Sequence, residues 1–231
     1  FAFFCTTHAD KEFLVDGNCR LTFGETYAAA RALAGGLVEG RQLQKGDRVG
    51  IAARNSANWI IAYMAIIMAG GVATLLNGWW QGEELADGIM DTETRLVLAD
   101  AQRAERLKQS GVDHGAEVVT LDIAQPIDKA IAPLVARGGS AETTLPVVMG
   151  DDLATILFTS GSTGQSKGAW STHRSVTQGV FSYLAQTLML LTYATKEGIA
   201  PKDQPCTLLN VPLFHVTAEV PVMLQSFGMG R

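Results

Sequence analysis

Cysteine is scarce in this chain of 231 residues: Cys5, Cys19 and Cys206 form an odd, scattered set with no CxxC spacing. Such a set makes neither a disulfide framework nor a closed zinc site, which needs four ligands. Cys5 and His8 stand at a ligand-like spacing, yet no second pair completes a site. The three are read as reduced thiols of a cytoplasmic protein. Basic clustering is lacking too. Lys and Arg number 18 against 23 Asp and Glu, a net charge of -5. Apart from Arg41, Lys45 and Arg48 the cations are scattered, so the chain offers no basic face to a nucleic acid. A secretory leader is also missing, because FAFF is too short and has no basic region before it. The chain begins on Phe1 rather than Met, which points to a start further upstream. It contains no internal repeat and no low-complexity tract.

One charge-free run, WIIAYMAIIMAGGVATLLNGWW at 59–80, is long enough to span a bilayer. Gly70-Gly71 argues otherwise, since each glycine costs a helix roughly 1 kcal/mol relative to Ala. A helix ending near Ala69, a Gly-Gly turn and a buried strand account for the run, and no transmembrane segment is expected.

What remains is a regular alternation. Thr22-Phe23-Gly24-Glu25 fits a capping box that opens an Ala-rich helix. A turn at Lys45-Gly46-Asp47 leads to a strand over 48–53, and Asn55 or Ser56 caps a helix over 57–69 that is apolar on nearly every side. A strand at 72–76 and a helix at 82–92 follow. RLVLAD reads as a strand, AQRAERLKQS as an exposed helix and EVVTLD as a strand. Strands alternating with helices of this length argue for parallel βαβ units. The expected fold class is α/β, with layered βαβ sheets flanked by helices. Residues 136–151, rich in Gly, Ser, Thr and Pro, read as a surface connection and as the place for an internal break between lobes. Beyond lie a strand at 153–158 and another at 206–211, CTLLNV. The closing SFGMGR reads as a turn into a further strand.

The densest chemistry is LFTSGSTGQSKGAW, residues 157–170. Against the Walker pattern G-x-x-x-x-G-K-[ST], Ser166 stands at the second glycine and Gly168 at the hydroxyl position. A Walker loop also opens directly into a helix. Here GAWST reads as a strand, and a helix begins only near Thr172, with Val176, Val180, Leu184 and Leu188 on one face. The stretch therefore joins strand to strand, as a hairpin tip. Its chemistry still suits phosphate. Gly161 and Gly164 let backbone N–H groups converge, Thr159, Ser160, Ser162 and Thr163 add hydroxyls, and Lys167 supplies a point charge. From the residues alone, two other readings stay open. One is a different phosphate-loop enzyme, a kinase or NTPase, which needs a helix directly after Lys167. The other is a non-catalytic nucleotide-binding module.

TSGSTGQSKG resembles the signature loop of the adenylate-forming (AMP-binding) superfamily, which includes acyl-CoA synthetases. Ser166 replaces the usual Pro, and Trp170 a usual aliphatic residue. LQKGDRVGIAARNSANWIIAYMAIIMAGGVATLLN resembles that family's first conserved block, THR at 172–174 falls where the family has it, and NVPLFHV at 210–216 is similar to its Pro-Leu-Phe-His segment. The resemblance implies an AMP-forming ligase that activates a fatty or aromatic carboxylic acid with ATP and passes it to coenzyme A. It implies that Thr159, Ser160, Gly161, Ser162, Thr163, Gly164 and Lys167 cradle the ATP phosphates, with Thr159 helping to hold Mg²⁺. Lys167 matches the signature lysine and His215 a residue beside the acyl pocket, both in catalytic roles. It further implies that residues 1–231 are an incomplete large N-terminal domain. The family's adenine and ribose segments, and its C-terminal domain with the catalytic lysine, would lie beyond Arg231, and the piece alone would be inactive. Other chemistry-bearing residues have plainer readings. Trp79-Trp80 read as aromatic core in preference to pocket lining, His173 as a surface or satisfied histidine, and Asp151-Asp152 as side chains pointing apart rather than as a metal pair.

Overall fold

Three short runs, VGIA, VATL and LVLA, are buried at every position. A strand buried on both faces belongs at the centre of a parallel sheet, covered by helices above and below. The computed structural model, which describes residues 1–159 and 166–231, bears this out. After helix α1 (Ala2–Thr7) come the antiparallel pair β1 (Glu12–Asp16) and β2 (Cys19–Thr22), then α2 (Phe23–Gly35) with a π-helical turn over Gly36–Gly40. The main sheet is built from β3 (Arg48–Ala52), β4 (Val72–Leu75), β5 (Leu96–Ala99), β6 (Glu117–Thr120), β7 (Leu153–Thr159) and β8 (Lys167–Thr172). Its strand order is β6-β5-β3-β4-β7-β8. Every pairing is parallel except β7 with β8. Helices α3 (Ala57–Met68), α4 (Gly82–Asp91), α5 (Ala101–Ser110) and α6 (Ile127–Val135) make the crossovers, and α7 (His173–Lys196) follows β8 without a break.

Local chemistry sets the boundaries. The Thr22 hydroxyl accepts from Glu25 N–H at 3.1 Å and the Glu25 carboxylate accepts from Thr22 N–H at 2.8 Å, the anticipated capping box. Of the two caps proposed for α3, Ser56 serves, accepting from Trp59 N–H at 3.1 Å. Helix α3 is buried continuously from Ala57 to Ile66. It ends at Gly70, whose φ of +76° is open to glycine at little cost. Twelve residues rise only about 18 Å. No described helix is long and apolar enough to cross a membrane.

The structure adds elements the sequence reading did not assign and corrects two that it did. Residues 127–135 form a helix, α6, whose buried Ile127, Ala130, Ile131 and Leu134 follow helical spacing around an internal Pro133. Residues 206–211 form no strand: Leu208 is 86% exposed, and no ladder neighbour lies beside them among the described residues. Apolar composition alone cannot pair a backbone. The closing SFGMGR is helical rather than turn and strand. Helix α8 (Val216–Ala218), a π-helical stretch (Glu219–Leu224) and α9 (Gln225–Met229) follow one another directly, and Phe227 is buried in the aromatic group of Phe1, Phe13 and Phe23. The expected apolar face of α7 holds only in its first half. Leu184 is buried, while Leu188, Met189, Leu190 and Tyr193 are exposed.

Residues 136–151 run over α2 rather than away from it. Gly35 and Gly139 meet so closely that a Cβ on Gly35 would stand 2.0 Å from the Ser140 carbonyl oxygen. Arg31 donates to the Ala141 and Thr143 carbonyls at 2.6 and 3.1 Å from the same helix. Gly35→Ala is therefore expected to destabilise by about 1–3 kcal/mol through overpacking. In a thermal melt this is a fall of several degrees, and an unchanged midpoint would disprove the tight crossing.

Candidate functional site

In open parallel sheets, ligands gather beyond the carboxyl ends of the strands. Here that edge carries Asn55 after β3, the loop 77–80 after β4, Asp100 after β5 and Thr159 at the end of β7. Strands β7 and β8 pair from Leu153↔Thr172 to Thr159↔Lys167. The signature stretch thus joins one strand to the antiparallel strand beside it, as its sequence indicates. A strand, not a helix, follows Lys167, which removes the geometry a Walker-type kinase or NTPase loop requires. Thr159 and Lys167 face each other as the last pair of that ladder, both exposed. The Thr159 hydroxyl stands 3.5 Å from the Lys167 carbonyl, at the outer limit of a hydrogen bond. Ser160, Gly161, Ser162, Thr163 and Gly164 lie outside the described residues.

His215 reaches the same edge by a route the sequence does not reveal. With 206–211 irregular, no strand delivers it. Asn55 does so instead. Its amide NH₂ donates to the Val211 carbonyl at 2.8 Å, and its carbonyl oxygen accepts from Leu213 N–H at 2.9 Å. One side chain thus offers the 211–213 backbone the donor and acceptor a neighbouring strand would offer. Leu213 is then buried, and His215 begins α8 exposed, its Nδ1 accepting from Thr217 N–H at 3.2 Å. Nε2 takes no part in that bond.

Four residues after His215 lies a group that sequence reasoning passed over. Glu219 is fully buried, its N–H bonded to the His215 carbonyl at 3.1 Å. Tyr63 of α3 donates its hydroxyl to Glu219 Oε1 at 2.8 Å. Among the described residues, Glu219 Oε2 and the Thr155 hydroxyl of β7 are both buried without a hydrogen-bond partner. Burial pushes the Glu219 carboxyl up to about 7, and the nearby Tyr63 and Thr155 hydroxyls oppose the shift. The Tyr63 phenol is likewise held well above its usual range, first by burial and then by the carboxyl beside it. A glutamate in an apolar sequence run is the only signal that could have marked this site.

Apart from Trp79, the remaining candidates fall outside this edge or into structural roles. Asp151 pairs with Arg174 at 2.9 Å and Asp152 with Lys45 at 2.7 Å, so the two carboxylates serve different partners. His173 is half-buried at the start of α7, and desolvation lowers its pKa against the pull of Asp152. Trp80 packs edge-on against Phe158 at 4.9 Å, as core packing predicts, whereas Trp79 is 67% exposed.

Comparison with known proteins identifies a family and a fold. The family described as AMP-binding enzyme matches residues 1–230. The chain is 28% identical over 228 residues to 4-coumarate–CoA ligase 3 of Arabidopsis thaliana, covering 96% of the chain and 38% of that protein. It is 27% identical to the medium/long-chain-fatty-acid–CoA ligase FadD6 of Mycobacterium tuberculosis over 91% of the chain and 33% of FadD6. The chain thus spans between 33% and 38% of the length of these relatives. The fold matches the N-terminal domain of FACL13 from Mycobacterium tuberculosis, solved with an inhibitor, with a TM-score of 0.80 at 23% identity over 99% of the chain and 54% of that structure. It also matches MatB from Rhodopseudomonas palustris, solved with ATP bound, with a TM-score of 0.73 at 27% identity over 98% of the chain and 42% of MatB.

The buried acid gives a pH test. Below about pH 4 the Glu219 carboxyl is protonated whether folded or not and contributes no slope. Between that value and about 7, the unfolded chain releases the proton while the native chain keeps it. Glu219 therefore costs stability progressively as pH rises through this window, by roughly 3 kcal/mol in all, and adds nothing further above it. Glu219→Gln should remove that slope, so that its denaturation midpoint gains on the wild type between pH 5 and pH 8. Parallel pH profiles for the two proteins would contradict the assignment.

Proposed function

The chain belongs to the AMP-binding enzyme family, and from that premise we propose that it is part of an AMP-forming acid–thiol ligase. The enzyme would join a fatty or aromatic carboxylic acid to coenzyme A at the expense of ATP. The observation that carries this reading is the hairpin at the carboxyl edge of the sheet, with Thr159 and Lys167 paired at its mouth. The acid's carboxylate attacks the α-phosphate of ATP and expels pyrophosphate, giving an acyl-adenylate. The thiol of coenzyme A then displaces AMP. The first step crowds anions together, so it is governed by positioning and charge neutralisation.

Lys167 supplies a fixed cation for a phosphate oxygen. The exposed Thr159 hydroxyl is a hard oxygen donor of the kind Mg²⁺ takes. Mg²⁺ supplies further neutralisation of the pyrophosphate. The hydroxyls of Ser160, Ser162 and Thr163 and the glycines Gly161 and Gly164 complete the cradle in this reading. His215 stands beside the acid and the incoming thiol. The adenine-, ribose- and C-terminal catalytic segments of the family have no counterpart among these 231 residues.

In the complete gene product, Lys167→Ala should slow acid-dependent pyrophosphate exchange by about 10²-fold, the loss expected for one charge-stabilising donor. Its melting temperature should be unchanged, because an exposed lysine at a hairpin mouth buries nothing. Exchange at the wild-type rate would refute the role. The isolated 231-residue chain should give no exchange at all, and turnover by that chain would refute the reading of it as a part.

A further inference from the structure

The loop between β4 and α4 is held with unusual firmness for one that displays a large apolar side chain to water. Asn77 accepts from Trp79 N–H at 2.9 Å through its side chain and from Trp80 N–H at 3.1 Å through its carbonyl. Two arginines of α5 reach across to the same four residues. Arg103 donates to the Gly78 carbonyl at 2.7 Å, and Arg106 donates to the Trp80 carbonyl at 3.0 Å. Arg103 is only 4% exposed and is itself fixed by Asp100 at 3.1 Å. Asp100 in turn accepts from Arg54 N–H at 3.0 Å and caps α5 through Arg103 N–H at 2.9 Å. A buried guanidinium needs paired and hydrogen-bonded surroundings, and here it has them.

Core packing explains only one of the two indoles this loop carries. Trp80 turns inward against Phe158, the residue before Thr159. Trp79 turns outward. Among the described residues it meets the Phe214 ring, edge to face with ring centroids 5.4 Å apart and planes at 88°. Phe214 immediately precedes His215 and is half-buried. Trp79 and Phe214 therefore make a continuous apolar ledge, on the side of the sheet where the hairpin mouth lies, that ends at His215. A rigid aromatic surface of this kind binds an apolar group at low entropic cost, because it is ordered before the ligand arrives.

We propose that Trp79 is a wall of the acid-binding site, its indole taking the hydrocarbon or aryl part of the carboxylic acid while the carboxylate points toward His215. The proposal rests on the ligase reading and adds to it the residue that measures the acid's apolar portion. Arg103 and Arg106 act through the loop backbone and are positioning residues.

The test uses the complete gene product and pyrophosphate exchange with a series of acids from acetate to dodecanoate, together with benzoate. Trp79→Ala should raise KM for dodecanoate and benzoate by roughly tenfold or more, the scale on which an apolar pocket discriminates. KM for acetate and for ATP should stay within a factor of about two, and Trp79→Phe should recover most of the loss. Three results would overturn the proposal: an equal change in KM along the whole series, a rise confined to coenzyme A in the thioester step, or a lowered melting temperature with unchanged KM. Wild-type protein that exchanges pyrophosphate with no acid would defeat the ligase reading, and this proposal with it. Active wild type with an indifferent Trp79→Ala variant would defeat the proposal alone.

Discussion

Strands β3, β4 and β5 have no face turned to water. A sheet of that kind is covered on both sides, its strands run parallel, and each return passes over a face through a helix. Every loop leaving the carboxyl end of a strand therefore opens on the same edge. Asn55, Trp79, Asp100 and Thr159 are distant in sequence and share that edge for this reason alone. The apolar density of β3 to β5 thus determines more than stability. It decides which polar residues can meet.

The β7–β8 hairpin departs from this rule at one place. Strand β8 returns antiparallel to β7, so Thr159 and Lys167 are both held by the sheet, and no helix N-terminus follows directly. A helix terminus would attract phosphate by its dipole. In the ligase reading, phosphate contacts at this edge would come from side chains instead, and the sequence concentrates hydroxyls and a lysine within 159–167. Thr172 then serves twice, as the last residue of β8 and as the cap of α7, accepting from Ser175 N–H at 3.2 Å. The chain passes from loop to strand to helix with no slack.

Much of this was legible in the sequence. The Thr22–Glu25 cap, the Gly70 stop and the runs that became β3 to β5 are local signals, and local signals survive folding. The hairpin was readable because GAWST lacks helical spacing and Lys167 precedes it directly. What stayed hidden depended on contacts far along the chain. Asn55 looks like a helix cap until Val211 and Leu213 occupy its amide, a partnership across 156 and 158 positions. Leu208 and its neighbours look like a strand until the sheet is seen to offer them no place. Glu219 could not be told from a surface glutamate, because only the arrival of Tyr63 and Thr155 makes it an interior acid. Helix α6 was obscured by Pro133, whose missing N–H the helix tolerates.

The second half of α7 has a practical corollary. Leu188, Met189, Leu190 and Tyr193 follow one another closely in the second half of this helix, each more than half exposed. A band of that size and oiliness lowers the concentration at which molecules begin to adhere to one another. Solutions of the 231-residue polypeptide should scatter light increasingly as they are concentrated, and mild detergent or a polar replacement at Leu190 should keep them clear.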